Sequence, residues 1–495
     1  MKKNQLLYYV LLIGIVISSC KKDMDKVDWR VPSTTSSGLK QDRGFIVIAK
    51  EGAKLENIAA SLTSLGCKRF VLKESIKELS LIHVQTPDPS FPEKARAVAD
   101  VQSVVVDLVV NWHLPTTTKS SGYSVSATPA SAYSDKLNRN PWSFLQWDLQ
   151  ATKVQNAWNK GYEGAGAKVA VLDGGFQTRN PDLVGNIILK QNFIEGETVE
   201  YKGAAGFSHG TNVAGIIAGI DNNLGIVGVA PKAKLMLVKV LNDGGSGPFS
   251  GIINGIYYAA TNGANVINMS LGAELPRKTF LDDNGTPDDP SDDFIVQYDK
   301  DVRDIVIALN RATVFANNLG STLIASAGND GVNFDQEKDF ITYPAACIGV
   351  LAVSSTGPIG WAKNHNTFLY VPSSFSNKGK NFISFAAAGG SEPANPDVSN
   401  VTVGFMTAPA YVYDFVFGLG FEENGDFAVG WVAGTSQAAP HVSAVAALIY
   451  GKYKQLASPH LVADILRRSS MDLGAKGRDA DYGYGEVDAG KAIAY

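Results

Sequence analysis

Four polar residues interrupt apolar or glycine-rich stretches at points where they could take part in acyl transfer. Asp173 ends the run Lys168-Val169-Ala170-Val171-Leu172 and is followed by Gly174 and Gly175. A polar residue directly after a buried strand lies where open parallel sheets place their active crevices. His209 stands in Ser208-His209-Gly210-Thr211-Asn212-Val213-Ala214-Gly215, whose small residues let a helix lie close to its neighbours. With an ordinary pKa of about 6.5, an imidazole accepts a proton at neutral pH and returns it. Ser436 lies in Gly434-Thr435-Ser436-Gln437-Ala438-Ala439-Pro440-His441, ahead of an apolar helical run over 442–449. That puts it at a helix N-terminus, where free amides and the helix dipole favour a developing negative charge. Pro440 is expected to be tolerated there because first-turn amides lack an intrahelical acceptor. Asn329, in Ala325-Ser326-Ala327-Gly328-Asn329-Asp330-Gly331, ends another apolar strand with a turn, and its side-chain amide could donate to an oxyanion. Taken singly, each has a plainer reading: Asp173 and Asn329 as turn residues, His209 as a structural histidine, Ser436 as a helix cap.

Together, the motifs around these residues and their order, Asp then His then Ser, resemble those of the subtilisin-like serine proteases. The resemblance runs from about Trp142 to the C-terminus, and the His and Ser motifs carry it most specifically. It implies a serine endopeptidase acting on proteins or peptides. Ser436 would attack the peptide carbonyl, His209 take its proton, Asp173 orient the imidazolium, and Asn329 with the Ser436 amide hold the oxyanion. Gly245-Ser246-Gly247 and Ser270-Leu271-Gly272 resemble the family's substrate edges. By that likeness Ser246, Gly247, Ser270, Leu271 and Gly272 would pair with an extended substrate backbone and frame the specificity pocket. Two Ser/Gly loops that merely connect strands are the alternative.

The sequence departs from the family pattern at Gly174, where Thr or Ser usually follows the aspartate, and at Asn212, which replaces a second His. Ala433 replaces a Ser, and Ala388-Gly389 replaces Pro-Gly. These departures leave a second expectation of a different class: a catalytically impaired, lipid-anchored protein that binds peptides. An α/β-hydrolase esterase is disfavoured because Gly434-Thr435-Ser436-Gln437-Ala438 lacks the second Gly of G-x-S-x-G. A zinc peptidase is disfavoured because no H-E-x-x-H occurs among the six histidines.

To bring the four residues together the chain needs a parallel sheet. Short apolar strands over 169–172, 235–240, 266–269, 323–326 and 348–353 alternate with helical patterns. This predicts an α/β domain over 141–495, a parallel sheet with helices on both faces, which the resemblance identifies as subtilisin-like. Ahead of it, 44–114 reads as a small α+β domain. A strand at 45–49 is followed by Leu55, Ile58, Ala59, Leu62 and Leu65 at helical spacing, with Gly66 as the stop. Strands at 69–72 and 79–84, a Pro-led helix near 91–99 and a strand at 104–110 complete βαββαβ, the order of a ferredoxin-like domain. Its pattern and placement resemble the propeptide of many subtilisin-like proteases, an intramolecular inhibitor until it is cut. Residues 115–140, rich in Ser and Thr, are expected to be an exposed linker holding the maturation site.

Lys2 and Lys3, the apolar run 6–17 and Ser18-Ser19-Cys20 have the layout of an export signal over 1–19. Such a run rises only about 18 Å as a helix, against a hydrocarbon core of about 30 Å. Ile17-Ser18-Ser19-Cys20 resembles the lipobox of bacterial lipoproteins, in which the cysteine becomes the lipidated first residue. Residues 20–43 then form a tether. The expectation is a zymogen exported as a bacterial lipoprotein of the cell envelope, at the outer membrane or cell surface, held by an N-terminal lipid only. A cut within 115–134 would release its catalytic domain.

With 44 Lys and Arg against 48 Asp and Glu, a net charge of -4 and no basic block, nucleic acid is not an expected partner. Cys67 and Cys347 fall in different modules, so no structural disulfide is expected. No cofactor is required. Asp282, Asn284 and Asp288, in an acidic insertion near 274–304, are candidate calcium ligands. EF-hand spacing is absent, and a solvated acidic loop is the plainer reading. A second insertion near 391–426, aromatic and Gly-rich, has no assigned role beyond shaping the substrate cleft.

Overall fold

The computed structural model describes residues 43–111, 116–119, 124–125, 140–204, 206–277, 280–282, 294–296, 298–423 and 426–495. The export signal, Cys20, the tether before residue 43, most of 115–140, Asn284 and Asp288 lie outside the described residues.

The N-terminal unit runs β1 (Arg43–Ala49), α1 (Leu55–Thr63), β2 (Val71–Ile76), β3 (Leu81–Thr86), α2 (Phe91–Arg96) and β4 (Val101–Val106). Its strands pair antiparallel in the order β2-β3-β1-β4. Period-two alternation sorts the two faces. Phe45, Val47, Ile82, Val84 and Val104 pack with Leu55, Ile58, Leu62 and Phe91 in a core of the unit's own. Ile46, Ile48, Leu81 and Val105 face the larger unit instead. The single strand expected over 104–110 is two strands, β4 and β5 (Val109–Asn111). Asp107 breaks the run because its carboxylate leaves the sheet to accept the Ser250 amide at 2.9 Å.

Two short strands follow, β6 (Thr116–Lys119) and β7 (Ser124–Val125), and then α3 (Trp147–Ala151) and α4 (Gln155–Trp158). The chain continues through β8 (Lys168–Asp173), β9 (Ile187–Asn192), α5 (His209–Ala218), β10 (Lys234–Lys239), β11 (Ser246–Pro248), α6 (Phe249–Thr261) and β12 (Val266–Met269). Next come β13 (Ala273–Pro276), β14 (Phe280–Asp282), β15 (Phe294–Val296), α7 (Arg303–Asn318), β16 (Thr322–Ser326), β17 (Phe340–Tyr343) and β18 (Val350–Gly357). Short β19 (Val371–Pro372) and β20 (Phe385–Ala388) precede β21 (Asn400–Val403), β22 (Met406–Pro409), β23 (Val416–Glu423) and β24 (Asp426–Ala433). Helices α8 (Thr435–Tyr453), α9 (Pro459–Ser469) and α10 (Ala489–Ala492) end the chain.

The main sheet has the order β9-β10-β8-β12-β16-β18, all parallel, with β20 parallel beside the end of β18 and β19 antiparallel to it. Both faces are covered, as its near-continuous apolar strands require. Val169, Val171, Leu235 and Leu237 pack under α5 and α8. Ala170, Leu172, Met236 and Val238 pack against α6 and α7, and the same core runs on through those helices to the N-terminal sheet. Helices α6 and α7 therefore lie between two sheets.

Two parts of the fold differ from the sequence expectation. The insertion near 391–426 is a pair of hairpins, β21 with β22 and β23 with β24. The segment expected to be a bare linker supplies a third strand to each: β6 on β24 and β7 on β22. Thr116, Thr117 and Thr118 are β-branched, and they meet an available sheet edge. Strands β9 and β20 were not expected, because Ile187–Asn192 is half polar and Phe385–Ala388 is mostly alanine.

Candidate active site

Central strand β8 ends on Asp173, which is 1% exposed. Its backbone oxygen accepts from the amides of Val240 and Leu241 at 2.8 and 3.2 Å, which clamps the strand end against the exit of β10. Its Oδ1 accepts the Gly174 amide at 2.7 Å and lies 2.8 Å from His209 Nδ1. A carboxylate can only accept there, so Nδ1 carries the hydrogen and Nε2 is the basic nitrogen. Among the described residues Nε2 is buried without a hydrogen-bond partner, as is Asp173 Oδ2. Gly174, the next residue, has no hydroxyl to offer Oδ2.

His209 opens α5. The Ser208 hydroxyl caps this helix by accepting the Thr211 amide at 3.2 Å, and it also donates to Gly175 O at 2.7 Å. One side chain thus ties the histidine helix to the aspartate turn. The helix can lie this close because Gly210 faces Phe176: a Cβ there would come within 2.7 Å of the ring.

Ser436 is the second residue of α8 and is 6% exposed. Its hydroxyl donates to Ser270 O at 3.2 Å, and the Ser270 hydroxyl donates back to Ser436 O at 2.8 Å. Pro440 is the sixth helical residue, so the first-turn explanation for its tolerance does not hold. The amide it lacks would have bonded Ser436 O, four residues back. The Ser270 hydroxyl occupies that acceptor instead. On the other side, Asn329 Oδ1 accepts both the amide and the hydroxyl of Thr435 at 2.8 Å. A backbone N–H can only donate, which identifies the accepting atom as oxygen and leaves the Asn329 Nδ2 group turned away from Thr435.

Asn212 supplies the link between the two helix starts. Its Oδ1 accepts from Gln437 Nε2 at 2.9 Å, and its Nδ2 donates to Leu419 O at 2.9 Å. The departure at 212 is thus a fully buried amide joining the first turns of α5 and α8 to the β23 hairpin. Asp173, His209, Ser436 and Asn329 are gathered through these contacts. Sequence reasoning missed the supports: Asn212, Gln437 and Asn268, which donates to the Ser270 hydroxyl at 3.0 Å and accepts from Ser443 at 2.8 Å. An amide inside Val266–Met269 was the available signal, since a buried polar group needs a partner.

Ser246 and Gly247 lie on β11, and Ser270, Leu271 and Gly272 connect β12 to β13. The segment at 246–248 already has a partner: β5 runs antiparallel to it, Asn111 opposite Ser246 and Val109 opposite Pro248. Gly272 packs on Thr342, whose methyl would lie 2.7 Å from an added Cβ. Asp282 closes the short strand β14. Among the described residues no group of three or more His, Cys, Asp or Glu is disposed to hold a metal ion.

Over residues 164–485 the chain matches the Subtilase family. It is 30% identical over 357 residues to thermitase of Thermoactinomyces vulgaris, covering 72% of this chain and 98% of that protein. To subtilisin DY of Bacillus licheniformis it is 32% identical over 327 residues, covering 66% and 90%. The solved structure of the epidermin leader peptide processing serine protease of Staphylococcus aureus aligns with TM-score 0.66 and 22% identity, over 92% of this chain and 98% of that one. Fervidolysin of Fervidobacterium pennivorans aligns with TM-score 0.63 and 23% identity, over 93% of this chain and 62% of that one. These two likenesses are of fold.

Proposed function

Because the chain belongs to the subtilase family of serine proteases, we propose that it is a serine endopeptidase, made as a lipid-anchored zymogen, with Ser436 as nucleophile. Ser436 Oγ adds to the substrate carbonyl carbon as its proton passes to His209 Nε2. Asp173 holds Nδ1–H and balances the imidazolium. The carbonyl oxygen, now negative, is received by the Ser436 amide and by Asn329 Nδ2. His209 then gives the proton to the departing amine, and a water repeats the sequence to free the acyl group. Ser246, Gly247, Ser270, Leu271 and Gly272 would hold the substrate backbone.

The observation that carries this reading is the 2.8 Å Asp173–His209 contact, with Nε2 unpartnered and α5 tied through Asn212 and Gln437 to the start of α8. One observation favours the second reading, an impaired peptide-binding protein: the Ser436 hydroxyl is turned to Ser270 O. Labelling of processed protein with a serine-directed fluorophosphonate, beside a Ser436→Ala control, decides between them. The adduct is expected on Ser436 alone; folded, processed protein that takes no label would turn the assignment to peptide binding.

The zymogen part rests on the N-terminal unit. Strand β5 lies on β11 as a substrate would. Arg311 of α7 donates to Ala49 O, Leu79 O and Ser80 O at 3.1 to 3.2 Å. Asp107, half-buried between the units, meets the start of α6, and its partial removal from water pushes the carboxyl up to about 6. Lipidation at Cys20 with a cut after the N-terminal unit would free the catalytic unit from the envelope. Detergent phase partitioning tests this: mature protease confined to the lipid phase, without its N-terminal unit, would exclude release.

A further inference from the structure

Helix α5, which carries His209, ends at Ala218, and the chain returns to the sheet through a loop over 219–227. The amides of Gly228, Val229 and Ala230 then bond back to Gly219 O, Ile216 O and Ile217 O at 2.8 to 2.9 Å. One side chain from another part of the chain fills the inside of that loop. Asn140 ends the stretch expected to be a bare linker, yet it is 5% exposed. Its Nδ2 donates to Ile220 O at 2.9 Å and to Ile226 O at 2.6 Å. Its Oδ1 accepts the amides of Asn222 and Asn223 at 3.2 and 3.0 Å. Two carbonyls at one end and two amides at the other fix the orientation of this group and use all of its hydrogen-bonding positions.

Asp182, also buried, closes the same loop. Its Oδ2 accepts the Ile226 amide at 3.0 Å, and its Oδ1 accepts from Asn222 Nδ2 at 3.1 Å. The loop comes so near the carboxylate that a Cβ on Gly225 would lie 1.8 Å from Oδ2. Converging backbone carbonyls, a carboxylate and an asparagine side chain are the donors that a hard divalent cation such as calcium takes. Here the point on which Ile220 O and Ile226 O converge is an NH2 group, whose hydrogens are positively polarised. An ion cannot share that position with them. Asn140→Asp is isosteric, and it would set a carboxylate oxygen against two carbonyls that then lack a donor.

We propose that the 219–227 loop is a cation-type oxygen cradle closed by the chain's own Asn140 amide in place of a divalent cation, so that the polypeptide itself locks the far end of the histidine helix. This goes beyond the peptidase reading and holds whether or not Ser436 is a nucleophile. It also limits processing. A cut that separates the N-terminal unit has to fall before Asn140, because a cut after it removes the lock.

The test uses the full chain carrying Ser436→Ala, so that self-cleavage cannot mimic unfolding, and compares this parent with the same chain carrying Asn140→Asp. The probes are calcium in thermal unfolding and terbium luminescence excited through Trp142, whose amide donates to Gly225 O at 3.3 Å. The Asn140→Asp chain is expected to melt about 4 °C or more higher in excess calcium than in chelator, beyond any shift of its parent. It should also give terbium emission that calcium competes away and Trp142→Phe removes, whereas the parent gives none through Trp142. Adding Asp182→Asn should abolish the extra calcium response, and a response that survives it lies elsewhere and overturns the proposal. Terbium emission through Trp142 from the parent, or a calcium shift in Asn140→Asp no larger than the parent's, also overturns it. So does stable processed protein whose N-terminal sequence begins after residue 140. If Asn140→Asp fails to fold even with calcium, the parent's terbium measurement decides: emission that Trp142→Phe removes overturns the proposal, and its absence sustains it.

Discussion

Ser270 and Pro440 show how one residue's deficit sets another's task. Because Pro440 cannot bond Ser436 O, removal of the Ser270 hydroxyl leaves that buried carbonyl without a donor. Ser270→Ala is expected to cost about 1 to 3 kcal/mol, read by urea unfolding of the processed enzyme. Asn329 is set by Thr435 in the same way. Asn329→Ala should lower kcat about 10²- to 10³-fold with little change in KM, measured by steady-state peptide hydrolysis. An equal loss in KM would place the amide in ground-state binding. Asp173 and Asn329 were legible as polar residues that end apolar strands, and His209 and Ser436 as polar residues at the heads of helical runs in specific motifs. Their supports were not, since Asn212 meets Gln437 and Asn329 meets Thr435 across separations of 225 and 106 residues that local pattern does not reveal.

Element by element, legibility followed burial. Strands β8, β10, β12 and β16 are mostly apolar, and their expected bounds fell within about two residues of those observed. Edge strand β9 and the insertion hairpins gain their strand character from pairing partners, which a local window does not contain. The N-terminal order βαββαβ was readable from periodicity, whereas its docking onto α6 and α7 is set by contacts across the units, Arg311 among them, that periodicity does not reveal. Three carbonyls of the N-terminal unit share that guanidinium. Arg311→Ala should weaken the hold by about 1.5 to 3 kcal/mol. In the intact chain this would appear as faster amide exchange in β1 to β4 with β8, β10 and β12 unchanged; uniform acceleration would point to global destabilisation instead.

Across the whole molecule two buried groups set opposite pH limits. Glu486, 1% exposed, accepts the Thr356 hydroxyl at 2.9 Å, and burial pushes its carboxyl up to about 8. Between its ordinary 4.5 and about 8 the unfolded chain has lost a proton that the folded chain keeps, so stability falls as pH rises through that window. Glu486→Gln should remove this slope in thermal unfolding between pH 5 and about 9. His83, 5% exposed on β3, is pushed down to about 4 by burial. The folded N-terminal unit therefore resists its protonation and loses stability as pH falls from 6.5 towards 4. His83→Leu should flatten that acid limb, followed by amide exchange in β1 to β4. The pairing of β5 on β11 has a further consequence, which concerns concentration. While the chain is whole, that contact is intramolecular and its occupancy does not depend on how much protein is present. One cut between the units makes the same contact bimolecular, and the local concentration of the N-terminal unit falls from the millimolar range typical of short tethers to that of the bulk solution. If β5 blocks the site as proposed, dilution becomes the variable that opens the cleft, and a crowded surface would keep it closed longer than free solution.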